Sequence, residues 1–346
     1  MKRLISSIIA VAMTAGCFSA CSIYNVAAET HEKIEIVTTI FPEYDWVMNV
    51  LGNNPANADV TLLLDSGVDL HSFQPTAQDI LRVSTCDLFI YVGGESDEWV
   101  EDVLKEATNK DMTVINLMDV LGDSVKEEEV VEGMEEEHDH DHEEDHEHED
   151  HDEDHDHDED HEHHHDEIEY DEHVWLSLRN AAVLTGSISD AMQKIDAANA
   201  EIYKANAEAY IGKLNALDDE YKAVTENASC RTLLFGDRFP FRYLTDDYGL
   251  DYYAAFVGCS AESEASFETI TFLSKKADEL SVPAVLTIEG KDHRIAETIV
   301  ENTMTKDQPI LTLDSMQSAT MDDIKNGTTY ISVMESNLAV LKEALK

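Results

Sequence analysis

Positive charge is scarce in this chain. Only 23 Lys and Arg stand against 74 Asp and Glu, a net charge of −51 over 346 residues. Such a surface repels nucleic acid and anionic lipid headgroups and attracts cations. Cysteine is scarce too: five in all, two of them near the N-terminus. The other three, Cys86, Cys230 and Cys259, are odd in number and widely spaced. They specify no disulfide, and unpaired buried thiols are the expectation. Cys86 and Cys230 each open an expected strand, and Cys259 follows one. Past the N-terminus no apolar run approaches the roughly 20 residues that span a bilayer. No short sequence period supports a helical-repeat fold.

What the N-terminus has is a targeting pattern. Lys2 and Arg3 precede the apolar run Leu4–Ala15, followed by small residues. TAGC and FSAC both resemble bacterial lipoprotein cleavage sites. Cys21 is the expected lipidated residue and Cys17 the alternative, so residues 1–21 read as a lipoprotein signal peptide. An ordinary cleaved signal near VAAET is the plainer reading. The expected mature protein is exported, extracytoplasmic and tethered to a bacterial cell membrane by lipid.

At 346 residues the chain suggests about two domains. Four β-like runs, at 34–41, 58–65, 87–93 and 113–117, alternate with helical patterns such as YDWVMNVLG and TAQDILRVS. The same grammar returns at 232–237, 252–258, 284–290 and 309–315, and a helical pattern, ISVMESNLAVLKEAL, closes the chain. Strand–helix alternation at this spacing implies α/β lobes, each a four-stranded mainly parallel sheet flanked by helices. Between them, residues 194–227 are rich in Ala, Glu and Lys and free of proline. They predict one long rigid helix, with a break near Gly212 as the alternative. The expected organisation is an N-terminal lobe at 31–176, a connecting helical region at 177–227 and a C-terminal lobe at 228–346.

Residues 135–167 are 33 consecutive His, Asp or Glu, 12 of them His: His138, His140, His142, His146, His148, His151, His155, His157, His161, His163, His164 and His165. With no apolar residue, this tract reads as the centre of a disordered, solvated loop at about 124–168. HEEDH (142–146) and HEHHH (161–165) fit the H-E-x-x-H pattern, but that motif needs a helix with an apolar face, which the tract lacks. Fixed coordination geometry is therefore expected elsewhere.

In open α/β sheets ligands bind beyond the carboxyl ends of the strands. His71 follows the second run in GVDLHSFQPT, Asp237 ends the fifth in LLFGDRFPF, and Asp314 ends the eighth in LTLDS. His173 sits in DEHVWLS, where the tract stops. Two imidazoles and two carboxylates make a plausible four-coordinate divalent-metal site that is formally neutral when filled. Each alone has a blander role: the aspartates as turn caps, His71 as a loop histidine. Glu289 in TIEG is the alternative carboxylate, and Glu262 and Glu264 are outsiders. Trp99, Trp175 and Tyr91 read as core.

The segments IVTTIFPEYDWV, GVDLHSFQPTAQDI, DLFIYVGGESDEWV, DEHVWLSLRNA and TLDS resemble the ZnuA/TroA-like substrate-binding lipoproteins of zinc and manganese ABC importers. The resemblance runs from about residue 34 to 346, interrupted by the tract. It implies two lobes, a connecting helix, one metal in the cleft, and partners in a membrane permease and its ATPase. The ligand role passes to His71, His173 and Asp314. The third ligand departs from the zinc pattern: Asp237 stands near the place of a usual His, with a possible one-residue shift, and Arg238 beside it cannot ligate because it stays protonated. Carboxylate oxygen suits Mn²⁺ as well as Zn²⁺, whereas an imidazole-rich tract suits zinc. The expectation is therefore a monomeric zinc-capturing importer component with no enzyme activity, whose tract is an auxiliary weak zinc collector. The alternatives are a manganese or iron cargo, a secreted metal-dependent hydrolase with Glu289 as base, and a cell-adhesion role.

Overall fold

A computed structural model of the chain describes residues 33–134, 169–260, 264–290 and 292–346. The expected signal peptide, Cys17, Cys21 and the 12 tract histidines lie outside them, as does Glu262. All eight expected strands form, in two parallel sheets. The first contains β1 (Glu35–Thr38), β2 (Asp59–Leu62), β3 (Leu88–Tyr91) and β4 (Thr113–Asn116), in the order β2-β1-β3-β4. The second contains β5 (Thr232–Phe239), β6 (Asp251–Val257), β7 (Val285–Thr287) and β8 (Ile310–Thr312), in the order β6-β5-β7-β8. Both orders reverse beside the first strand of the sheet, a geometry that opens a crevice at the carboxyl ends. The inner strands β1 and β3 carry the apolar runs Ile36–Val37 and Leu88–Ile90, every residue of which is buried. Burial on both faces is what parallel sheets require.

Helices α1 (Phe41–Leu51), α2 (Ala77–Thr85), α3 (Trp99–Lys105) and α4 (Leu117–Leu121) accompany the first sheet. With the second go α7 (Arg242–Tyr248), α8 (Phe267–Leu280), α9 (Arg294–Asn302), α10 (Met321–Lys325) and α11 (Tyr330–Ala344). Between them run α5 (Leu178–Ile195) and α6 (Ala200–Glu226). The expected helix at 194–227 is therefore α6, starting six residues later. The chain breaks at Asp196, not at Gly212, because the Asp196 carboxylate accepts from Asn199 and the Tyr203 hydroxyl, each at 2.7 Å, and pins a corner.

The 27 residues of α6 span about 40 Å. Tyr203, Ala207, Tyr210, Leu214, Leu217 and Tyr221 recur every three or four residues and are buried. Near its start, Asn206 donates to the Val50 carbonyl and Tyr210 to the Asp45 carboxylate, both on α1. Near its end the Tyr221 hydroxyl donates to the Met334 carbonyl on α11. One helix thus braces the flanks of both sheets. A continuous apolar core joins residues from both sheets to this helix. No helix among the described residues is long and apolar enough to cross a membrane.

Candidate metal centre

Three segments converge at the carboxyl ends of the strands. After β2 the chain enters a tight turn, Leu70–Ser72, fixed by Asp69 Oδ1, which accepts the His71 amide at 3.0 Å. Further along the chain, Asp171 Oδ1 accepts the His173 amide at 2.8 Å ahead of a turn at Val174–Leu176. Cys259 lies two residues past the end of β6.

The two imidazoles face each other, with His71 Nε2 3.2 Å from His173 Nε2. Their other nitrogens are already engaged: His71 Nδ1 lies 2.8 Å from Ser96 Oγ, and His173 Nδ1 lies 3.1 Å from Asp171 Oδ1. Polar partners on Nδ1 orient a ring and leave Nε2 to ligate. Tetrahedral zinc with Zn–N bonds near 2.0–2.1 Å would hold two nitrogens about 3.3 Å apart. Cys259 completes the group, since one donor atom from each of the three residues lies within 4.8 Å of the others. Among the described residues this is the one such cluster of three or more His, Cys, Asp or Glu.

The surroundings set the protonation. Burial, then the facing His173, pushes His71 down to about 3, so its imidazole is neutral at physiological pH. Burial alone would lower His173 as well, but Asp171 and then Glu172 outweigh it and raise this ring. Of the two rings, His173 is the more disposed to hold a proton, and a bound cation would compete with it. Burial first, then Glu128, Asp171 and Glu172, pushes the Cys259 thiol up. Glu172 holds Ser96 in place by accepting its amide with Oε1 at 2.9 Å. Its Oε2 is buried 3.5 Å from His71 Nδ1 without a hydrogen-bond partner.

The structure thus brings His71 and His173 together and leaves the expected carboxylates outside the cluster. Asp237 Oδ1 accepts the Arg238 amide and Oδ2 the Ile288 amide, at 2.9 and 3.2 Å, so it ties β5 to the end of β7. Glu289 spends both oxygens on Ser315, Gln317 and Ser318. It thereby shapes the turn after Asp314, whose own Oδ1 accepts the Met316 amide at 2.7 Å. Trp175 does belong to the core, but it also supports the site. Its ring packs 5.2 Å from that of His173, and its Nε1 donates to the Ser315 carbonyl at 2.9 Å.

Comparison with known proteins agrees with this architecture. A family model described as zinc-uptake complex component A, periplasmic, matches residues 36–344. The zinc-binding protein AdcA of Streptococcus pyogenes is 30% identical over 322 residues, covering 90% of this chain and 56% of that protein. The high-affinity zinc uptake system protein ZnuA of Bacillus subtilis is 30% identical over 314 residues, covering 91% and 88%. The crystal structure of the Zn(II)-bound ZnuA-like domain of Streptococcus pneumoniae AdcA superposes with a TM-score of 0.67 at 26% identity, covering 91% of this chain and 99% of that one. The chain spans little more than half the length of the AdcA proteins it matches.

Proposed function

Since this chain belongs to the family of the periplasmic zinc-uptake complex component A, we propose that it captures Zn²⁺ outside the cytoplasmic membrane and hands it to an ABC permease driven by its ATPase. The observation that carries the reading is the pair of Nε2 atoms 3.2 Å apart, with both Nδ1 atoms tied back to polar partners. Zinc is the cargo, His71 and His173 are its first two ligands, and the Asp314 carboxylate, which lies outside their cluster with Oδ1 on the Met316 amide, would have to turn in to join them. Asp237 is left out, because both its oxygens hold backbone amides. The hydrolase alternative loses its base, since Glu289 is committed to the turn at 315–318. Manganese remains the competing cargo, and two imidazoles, one of them fully buried, favour zinc over it.

Residues 135–167 act as a weak, auxiliary zinc collector, and Cys21 carries the lipid that tethers the protein. The test is competitive titration of the mature protein with Zn²⁺ and Mn²⁺. One tight, zinc-preferring site, lost in both His71→Ala and His173→Ala, is the expected result. A tight site that survives both substitutions would refute the reading.

A further inference from the structure

We infer that Cys259 is the third ligand of the cleft metal, as a thiolate, and that it makes the site selective for thiophilic divalent ions such as Zn²⁺ and Cd²⁺ over Mn²⁺. This rests on the proposed capture of a cation by His71 and His173 and names one more bond at that site.

The other two described thiols show what a merely structural cysteine looks like here. The Cys86 thiol donates to the Val83 carbonyl at 3.3 Å and meets Met112 Sδ at 3.4 Å. The Cys230 thiol donates to the Thr232 carbonyl at 3.4 Å. Neither belongs to a cluster of metal-ligating groups, whereas Cys259 shares one with the two imidazoles.

The backbone around Cys259 is built for this approach. A Cβ on Gly258 would lie 2.9 Å from His173 Cε1 and 3.0 Å from the Phe239 carbonyl oxygen, so only glycine lets this strand end come so close to the imidazole. The Cys259 amide is held by Glu128 Oε1 at 3.4 Å, which helps to fix the residue. Imidazole nitrogen and thiolate sulfur are both ordinary donors to zinc. Thiolate is a soft ligand that manganese accepts poorly, whereas carboxylate in its place would leave the two ions harder to tell apart. On binding, the Cys259 S–H bond breaks, the proton leaves to solvent, and the sulfur lone pair forms the bond to the metal. No oxidant or reductant is consumed.

Cobalt(II) titration of the reduced, metal-free full mature chain tests this. Thiolate coordination gives an intense near-ultraviolet sulfur-to-cobalt charge-transfer band, and imidazole coordination does not. The tract contains no cysteine and contributes nothing to that band. The expected result is a band that saturates at one equivalent, persists in Cys230→Ser and vanishes in Cys259→Ser. Cys259→Ser should still bind Co²⁺ through the imidazoles, and its preference for Zn²⁺ over Mn²⁺ should fall by at least about 10-fold. Saturable Co²⁺ binding by the unmodified protein without the band would overturn the thiolate and leave zinc capture standing. That result does not depend on whether any variant folds. Failure of the unmodified protein to bind Co²⁺ or Zn²⁺ tightly would instead overturn both.

Discussion

Arg238 on β5 donates from Nη2 to Asp69 Oδ2 at 2.7 Å, tying the second sheet to the turn that carries His71. Its Nη1 donates to the carbonyl of Ser260, the neighbour of Cys259. Burial alone would raise Asp69, but the Arg238 charge outweighs it and holds the carboxyl below its ordinary value. This arginine sits near the place where the family resemblance led us to expect a ligand. It ties together the segments that carry His71 and Cys259 instead of joining their cluster.

Replacing Arg238 by Met keeps much of its volume but removes this bridge. Zn²⁺ affinity should fall by roughly 10-fold, as for other losses of groups that orient ligands. Isothermal titration with a competing chelator checks this. Unchanged affinity would show that the bridge plays no part in shaping the site.

Two glycines should respond to alanine in opposite ways. Gly212 lies inside α6 with open space around the position of an added methyl. Gly212→Ala should stabilise the protein by about 0.5–1 kcal/mol through helix propensity. Gly258→Ala would press on His173 and on backbone, so it should destabilise the fold and weaken metal binding together. Urea unfolding with and without zinc separates the two effects.

Burial pushes Asp45 up to about 6, despite the Tyr210 hydroxyl that donates to its Oδ2. The folded protein therefore holds this proton more tightly than the unfolded chain does. The stabilisation is full below about pH 4 and is lost as pH rises toward 6, up to about 3 kcal/mol for a shift of this size. Asp45→Asn retains an oxygen to accept from Tyr210 and never ionises. Its advantage over the parent should grow between pH 4 and 7 in denaturant unfolding, and a constant difference would contradict the assignment.

Much of the fold was legible because its signals are local. Each strand is a short apolar run, and the chain alternates strand with helix at a regular spacing. The start of α6 was misplaced because the break depends on the side chain of Asp196 accepting from Tyr203, a contact that periodicity does not encode. His71 and His173 were legible from their positions and from the resemblance, and they meet as expected. Asp237 satisfied the same rule about strand ends, but both its oxygens had nearer backbone partners. Cys259 satisfied that rule too, just past β6. It escaped notice because three thiols, odd in number and widely spaced, read as unpaired and buried, not as partners of the two imidazoles.

The central claim is that the tight site lies in the cleft and not in the acidic histidine run. Zinc titration of the mature protein with and without residues 135–167 tests it most directly. The account predicts that deletion removes several weak sites and leaves one tight site with its affinity intact. Loss of the tight site on deletion would contradict it.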